Sequence, residues 1–91
     1  MKILGIEYEV EEVEVVNKTE PRLGEINYIT NKILIDRSLP KDKKNQVLMH
    51  EIIHAICDLL GYDELGSDEE KVQGLATALH LVFSEQIIFS F

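Results

Sequence analysis

The sequence predicts an α+β domain, with short strands first and two helices after them. Three observations predict it. Apolar residues alternate with acids over residues 6–10, two short apolar runs flank a turn-like pair within residues 26–36, and helical spacing takes over after Pro40. Strands grouped ahead of helices, instead of interleaved with them, are the order of an α+β fold. At 91 residues the chain is read as one domain, residues 1–91, in which an N-terminal strand and a β-hairpin pack on two helices.

The first strand rests on Ile6, Tyr8 and Val10 alternating with Glu7, Glu9 and Glu11. At Glu11-Glu12 the phase slips, and Val13 and Val15 resume on the other parity, which predicts a bulge or bend. Residues 17–25 carry Asn, Thr, Pro and Gly and read as a loop. Residues 26–29 and 32–36 read as a hairpin turning at Thr30-Asn31, with both faces partly apolar. Ser38-Leu39-Pro40 opens a helix expected over Lys41–Leu60 and stopped by Gly61. Ser67 followed by Asp68, Glu69 and Glu70 predicts the start of a second helix, running to about residue 83 or 85. The apolar tail, residues 86–91, has no assigned place in this layout; it is a candidate surface for homo-oligomerisation or a protein partner.

Composition narrows the function. The net charge is −8, and the one basic cluster, Lys41, Lys43 and Lys44, is short and shares its segment with Asp42. Nucleic acid is therefore not expected as a partner, because phosphate binding needs clustered cations. No apolar run reaches membrane-spanning length, and residues 1–7 meet a glutamate too soon for a secretion signal. Cys57 is the sole cysteine, which fits a reducing compartment, so a cytoplasmic location is expected. Hydrophobic residues make up 45% of the chain, enough for a thin core that a metal ion would help to hold.

The chemistry is concentrated at His50-Glu51-Ile52-Ile53-His54, which spells H-E-x-x-H and uses two of the chain's three histidines. On a helix that spacing stacks both imidazoles one turn apart on one face, where both reach a single zinc ion. Glu51 then sits where it can take a proton from a zinc-bound water. The surrounding helix is apolar almost all round, from Val47 to Leu60, so this polar stripe is the exception on it. Buried histidines and carboxylates are costly unless paired or metal-bound. A catalytic zinc needs a third protein ligand and an open fourth position. The candidates are Asp58, Asp63, Glu64, Asp68, Glu69, Glu70 and the distant His80. Glu69 shares a helix face with Val72, Ala76, Leu79 and Phe83, an inward-packing face, and is preferred over Glu70, whose face is more polar and whose position suits the helix dipole. Cys57 reads as a buried thiol and His80 as structural.

Two histidines in H-E-x-x-H with a glutamate on a following helix resemble the gluzincin metallopeptidases, and the organisation is most similar to the small ImmA/IrrE-type family of phages and mobile elements. His50-Glu51-Ile52-Ile53-His54-Ala55 matches that family's H-E-x-x-H-A, and Glu69 through Ala76 resembles its E-x-x-A-N-x-F-A. The resemblance implies a minimal zincin-like fold with one Zn²⁺ held by His50, His54 and Glu69, and Glu51 as the catalytic base in peptide-bond hydrolysis. It implies a protein or peptide substrate, such as a regulatory repressor, bound by strand addition at residues 32–36. Gln73 stands where gluzincins often carry Asn or Asp to orient a histidine ligand, and Tyr62 and Tyr28 are the candidates for stabilising the oxyanion. A zinc-stabilised protein-binding module without turnover is the alternative, and it requires a fourth protein ligand that closes the site.

Overall fold

A computed structural model describes residues 1–85 of the chain. The tail residues 86–91, the candidate oligomerisation surface, lie outside the described residues. Among the described residues the architecture is α+β: two small sheets and three helices.

The N-terminal segment is not one strand. Lys2–Ile3 (β1) and Ile6–Glu7 (β2) form an antiparallel hairpin, and Glu9–Val13 (β3) belongs to a separate sheet. Leu4 and Gly5 both have positive φ, 50° and 82°, so the two-residue turn has the twist that a tight hairpin requires. The break falls at Tyr8, which is 1% exposed, while Ile6 and Val10 on the same parity stay in solvent. Alternation thus marked extended chain correctly, but Tyr8 alone carries its burial. The slip expected at Glu11-Glu12 is absent: β3 keeps an unbroken parallel register with Lys32–Asp36 (β5), from Glu9 opposite Lys32 to Val13 opposite Asp36.

Gly24–Asn27 (β4) pairs antiparallel with β5, so the expected hairpin forms, but its loop is residues 28–31 and not the pair Thr30-Asn31. Asn27 drives the longer loop. Its Oδ1 accepts from the backbone N–H of Ile29 at 2.9 Å and of Thr30 at 3.1 Å, an Asx turn, and Asn31 closes it at φ 54°. The strand order is β3-β5-β4. Residues 32–36 are therefore central and paired on both sides, and cannot accept an added strand. The edge beside the helices is β4. In β5, Ile33 and Ile35 are buried in the core, while Leu34 between them, on the opposite face, is half-buried.

The long helix Lys41–Leu60 (α1) has the predicted bounds, with Pro40 at its N-cap and Gly61 at φ 73° at its end. Gly61 accepts that left-handed conformation without steric cost, and its N–H satisfies the Asp58 carbonyl. A short helix, Asp63–Ser67 (α2), was not expected. Ser67 closes it, its hydroxyl donating to the Asp63 carbonyl at 2.8 Å, and does not cap the next helix. Asp68 is the cap instead: its Oδ1 accepts from the Lys71 N–H at 3.1 Å at the start of Glu69–Glu85 (α3).

Helix α1 is apolar on two sides because it packs on two sides. Toward the sheet, Val47 and Ala55 join Ile3, Tyr8, Ile33 and Ile35 in one core cluster. Toward α3, Ile53 and Cys57 join Val72 and Ala76 in a second. Further along α3 the face expected to pack inward opens out, with Leu79 and Phe83 in solvent. The polar stripe of α1 lies at the seam between these two clusters. Among the described residues, no helix is long and apolar enough to cross a membrane.

Candidate metal centre

Three side chains converge at that seam. His54 Nε2 lies 3.0 Å from Glu69 Oε1, His50 Nε2 lies 3.1 Å from Glu69 Oε2, and the two Nε2 atoms are 3.2 Å apart. Each imidazole faces its own carboxylate oxygen, and one donor atom from each of the three residues lies within 4.8 Å of the others, close to the roughly 3.3 Å that separates donors around a tetrahedral zinc with bonds of about 2.0–2.1 Å. His50, His54 and Glu69 are the residues the described structure brings close enough to hold a metal ion. The histidines come from successive turns of α1, and Glu69 from the first turn of α3 where Asp68 caps it. Glu70, one residue on, is exposed and outside this group; Asp58, Asp63, Glu64 and the half-buried Asp68 are outside it too.

The orientation of His50 is fixed from behind. Its Nδ1 lies 2.8 Å from Gln73 Oε1, and the Gln73 amide N–H donates to Thr77 Oγ1 at 3.1 Å. With the amide N–H given to Thr77 and the amide oxygen turned to His50, the arrangement suits the tautomer in which Nδ1–H donates and the Nε2 lone pair is left for the cluster. Thr77, one turn beyond Gln73, is a residue that the motif reading missed. Replacing Gln73 with alanine frees the ring to rotate, and affinity for a metal ion held by this group is expected to fall about 10–100-fold in a competitive chelator titration.

Glu51 reaches toward Gly24 at the start of β4, on the wall of the cleft that the triad also lines, and is 7% exposed. Burial pushes its carboxyl up from 4.5 to about 7, with His50 opposing and Glu69 adding to the rise. The folded chain thus binds this proton more tightly than the unfolded chain, whose carboxyl titrates near 4.5. Glu51's contribution to the stability of the metal-free protein is therefore fully present below about 4.5 and is lost as pH rises through about 7, by roughly 3 kcal/mol. Urea denaturation of chelated protein across that range checks it.

Gly24 makes room for this arrangement. A Cβ there would fall inside van der Waals contact of Val47 Cγ1 and 3.3 Å from both Glu51 Oε2 and the Leu34 carbonyl. A glycine at a strand's start signals such a close approach, although its neighbours Pro21 and Arg22 give it the look of a loop residue. Gly24→Ala is expected to cost about 1–3 kcal/mol of stability by denaturant melting, through the shift of β4 away from α1.

The triad opens on a cleft of about 600 Å³ between α1 and the β4 edge. Gly24, Ile26 and Tyr28 form one wall, and Val47, His50 and Glu51 form another. Tyr28 is thus placed at the site. Partial burial, then the charges of Glu51 and Asp58, push its hydroxyl up to about 12, so it stays protonated and able to donate at neutral pH. Tyr62 lines a separate hollow with Asp63 and Asp68 and is not brought to the triad. Cys57 is buried between α1 and α3, and His80 is half-buried further along α3, outside the cluster.

No family model, curated protein or solved structure matches the chain.

Proposed function

We propose that the chain is a minimal zincin-like peptidase of the gluzincin kind, similar to the ImmA/IrrE-type enzymes, with zinc held by His50, His54 and Glu69. The observation that carries this reading is the pairing of a three-donor cluster with a buried carboxylate, Glu51, on the wall of one open cleft. Two imidazoles and a carboxylate are the donor set of catalytic zinc, and among the described residues no fourth protein donor accompanies them. That absence favours turnover over a zinc-stabilised binding module, which needs a closed site.

Zinc in this position supplies an acidified water and a Lewis acid for the scissile carbonyl. Glu51 takes one proton from the attacking water as its oxygen bonds to the carbonyl carbon. When the C–N bond breaks, Glu51 delivers that proton to the leaving amine, and a carboxylic acid and an amine result. Tyr28 donates its O–H to the oxygen that gathers negative charge. Gln73 keeps His50 in the tautomer that leaves Nε2 free. The peptide lies along β4 as an added antiparallel strand, since that edge has unpaired backbone groups beside the cleft.

The test is hydrolysis of a synthetic peptide library by purified protein, before and after removal of metal with a chelator. Cleavage that chelation abolishes and zinc restores supports the proposal. Cleavage indifferent to chelation, or none in the zinc-loaded protein, refutes it.

A further inference from the structure

The cleft extends well past the three donors, and one charge at its far end has no part in the hydrolytic scheme. Lys43, Gln46, Val47, His50 and His54 lie on one stripe of α1 and line the cleft. The seven-residue step from Lys43 to His50 is about 10 Å of helical rise. In a chain of net charge −8, most cations find carboxylates. Lys44, the neighbour, pairs with Glu12, and the other cleft cation, Arg22, is held by Glu20 at 2.6 Å and Glu25 at 3.5 Å. Among the described residues Lys43 has no such partner. Its ammonium is therefore the one cleft cation whose charge is not already matched.

The direction of the cleft says which part of a peptide would meet it. Gly24, at the start of β4, sits against Val47 and Glu51, whereas Tyr28, just past its end, feels Glu51 first and then Asp58 and Cys57, one to two turns further along α1. Strand β4 and helix α1 thus run the same way across the cleft. A peptide added antiparallel to β4 runs from Tyr28 toward Arg22, and its C-terminal side passes Lys43. At about 3.3 Å per extended residue, Lys43 stands two to three residues beyond the triad.

We propose that Lys43 forms a carboxylate-binding subsite on the C-terminal side of the scissile bond, taking an acidic side chain or the peptide's own terminal carboxylate two or three residues past the cut. The proposal rests on the peptidase reading of the cleft and narrows its substrates to peptides with a carboxylate at that distance.

The experiment uses the full chain, zinc-loaded and carrying Glu51→Gln, to capture peptides from a synthetic random library presented with free or amidated C-termini. Captured peptides are sequenced by mass spectrometry. Carboxylates at a fixed position are expected to be enriched about two- to fivefold, the range of an exposed ion pair, and less so in about 0.5 M salt. Enrichment that persists in amidated peptides assigns the side-chain source, and enrichment confined to free C-termini assigns the terminal one; either supports the proposal. Lys43→Gln, added to this background, should flatten the preference, Lys43→Glu should turn it toward Lys and Arg, and Lys43→Arg should keep it. Zinc content and circular dichroism verify that each variant is folded. Absence of a charge preference, or one that Lys43→Glu leaves unchanged, overturns the proposal. Captured peptides are then offered to the zinc-loaded wild type. If they remain uncleaved, the peptidase reading fails while the Lys43 subsite stands as a binding site.

Discussion

Zinc-loaded Glu51→Gln protein is expected to bind the metal as the wild type does and to lose peptide hydrolysis by about 10²–10⁴-fold, the range for a positioned general base. The substitution is nearly isosteric, so the wall formed by Val47, Gly24 and Glu51 keeps its shape. What it removes is the group that accepts and returns the proton. The same change should stabilise the metal-free protein above neutral pH, because it deletes a carboxylate that burial makes costly to ionise. The two effects have opposite signs. A general loss of structure would lower both activity and melting temperature, so measuring them together separates a chemical role from a structural one.

Removing a member of the triad should act through the metal. His54→Ala and Glu69→Ala are each expected to weaken zinc binding by about a hundredfold or more, since even the groups that orient ligands are worth 10–100-fold. They differ in their effect on the metal-free fold. His54 is largely covered and Glu69 is exposed, with 66% of its side chain in solvent. Glu69→Ala should therefore leave the metal-free melting temperature almost unchanged while abolishing the rise in that temperature that added zinc gives the wild type. Glu70→Ala, on the neighbouring face of α3, should change neither.

These expectations lean on features that differ in how openly the sequence declares them. The histidine pair and its glutamate are visible because one helix positions all three, and helical spacing is local. The bounds of α1 are equally plain, since Pro40 and Gly61 act on the backbone at their own positions. Glu69 could be selected over Glu70 because Val72 and Ala76, three and seven residues on, show which side of α3 faces α1. The sheet is less legible. Alternation marks residues 6–10 as extended but says nothing about partners, so neither the break at Tyr8 nor the central place of β5 could be read from it. Gly24, Thr77 and Lys43 became informative only once α1 was set against β4 and α3: each matters through a contact or a facing wall that lies far away in sequence.

The central claim is that His50, His54 and Glu69 hold one zinc ion in an open site. Anomalous diffraction at the zinc edge, from crystals of zinc-loaded protein, tests it most directly. The account predicts one peak about 2.0–2.2 Å from His50 Nε2, His54 Nε2 and a Glu69 carboxylate oxygen, with the remaining position facing the cleft of Tyr28 and Glu51. A peak held instead by Asp63, Glu64 and Asp68, or a fourth protein ligand closing the site, would contradict it.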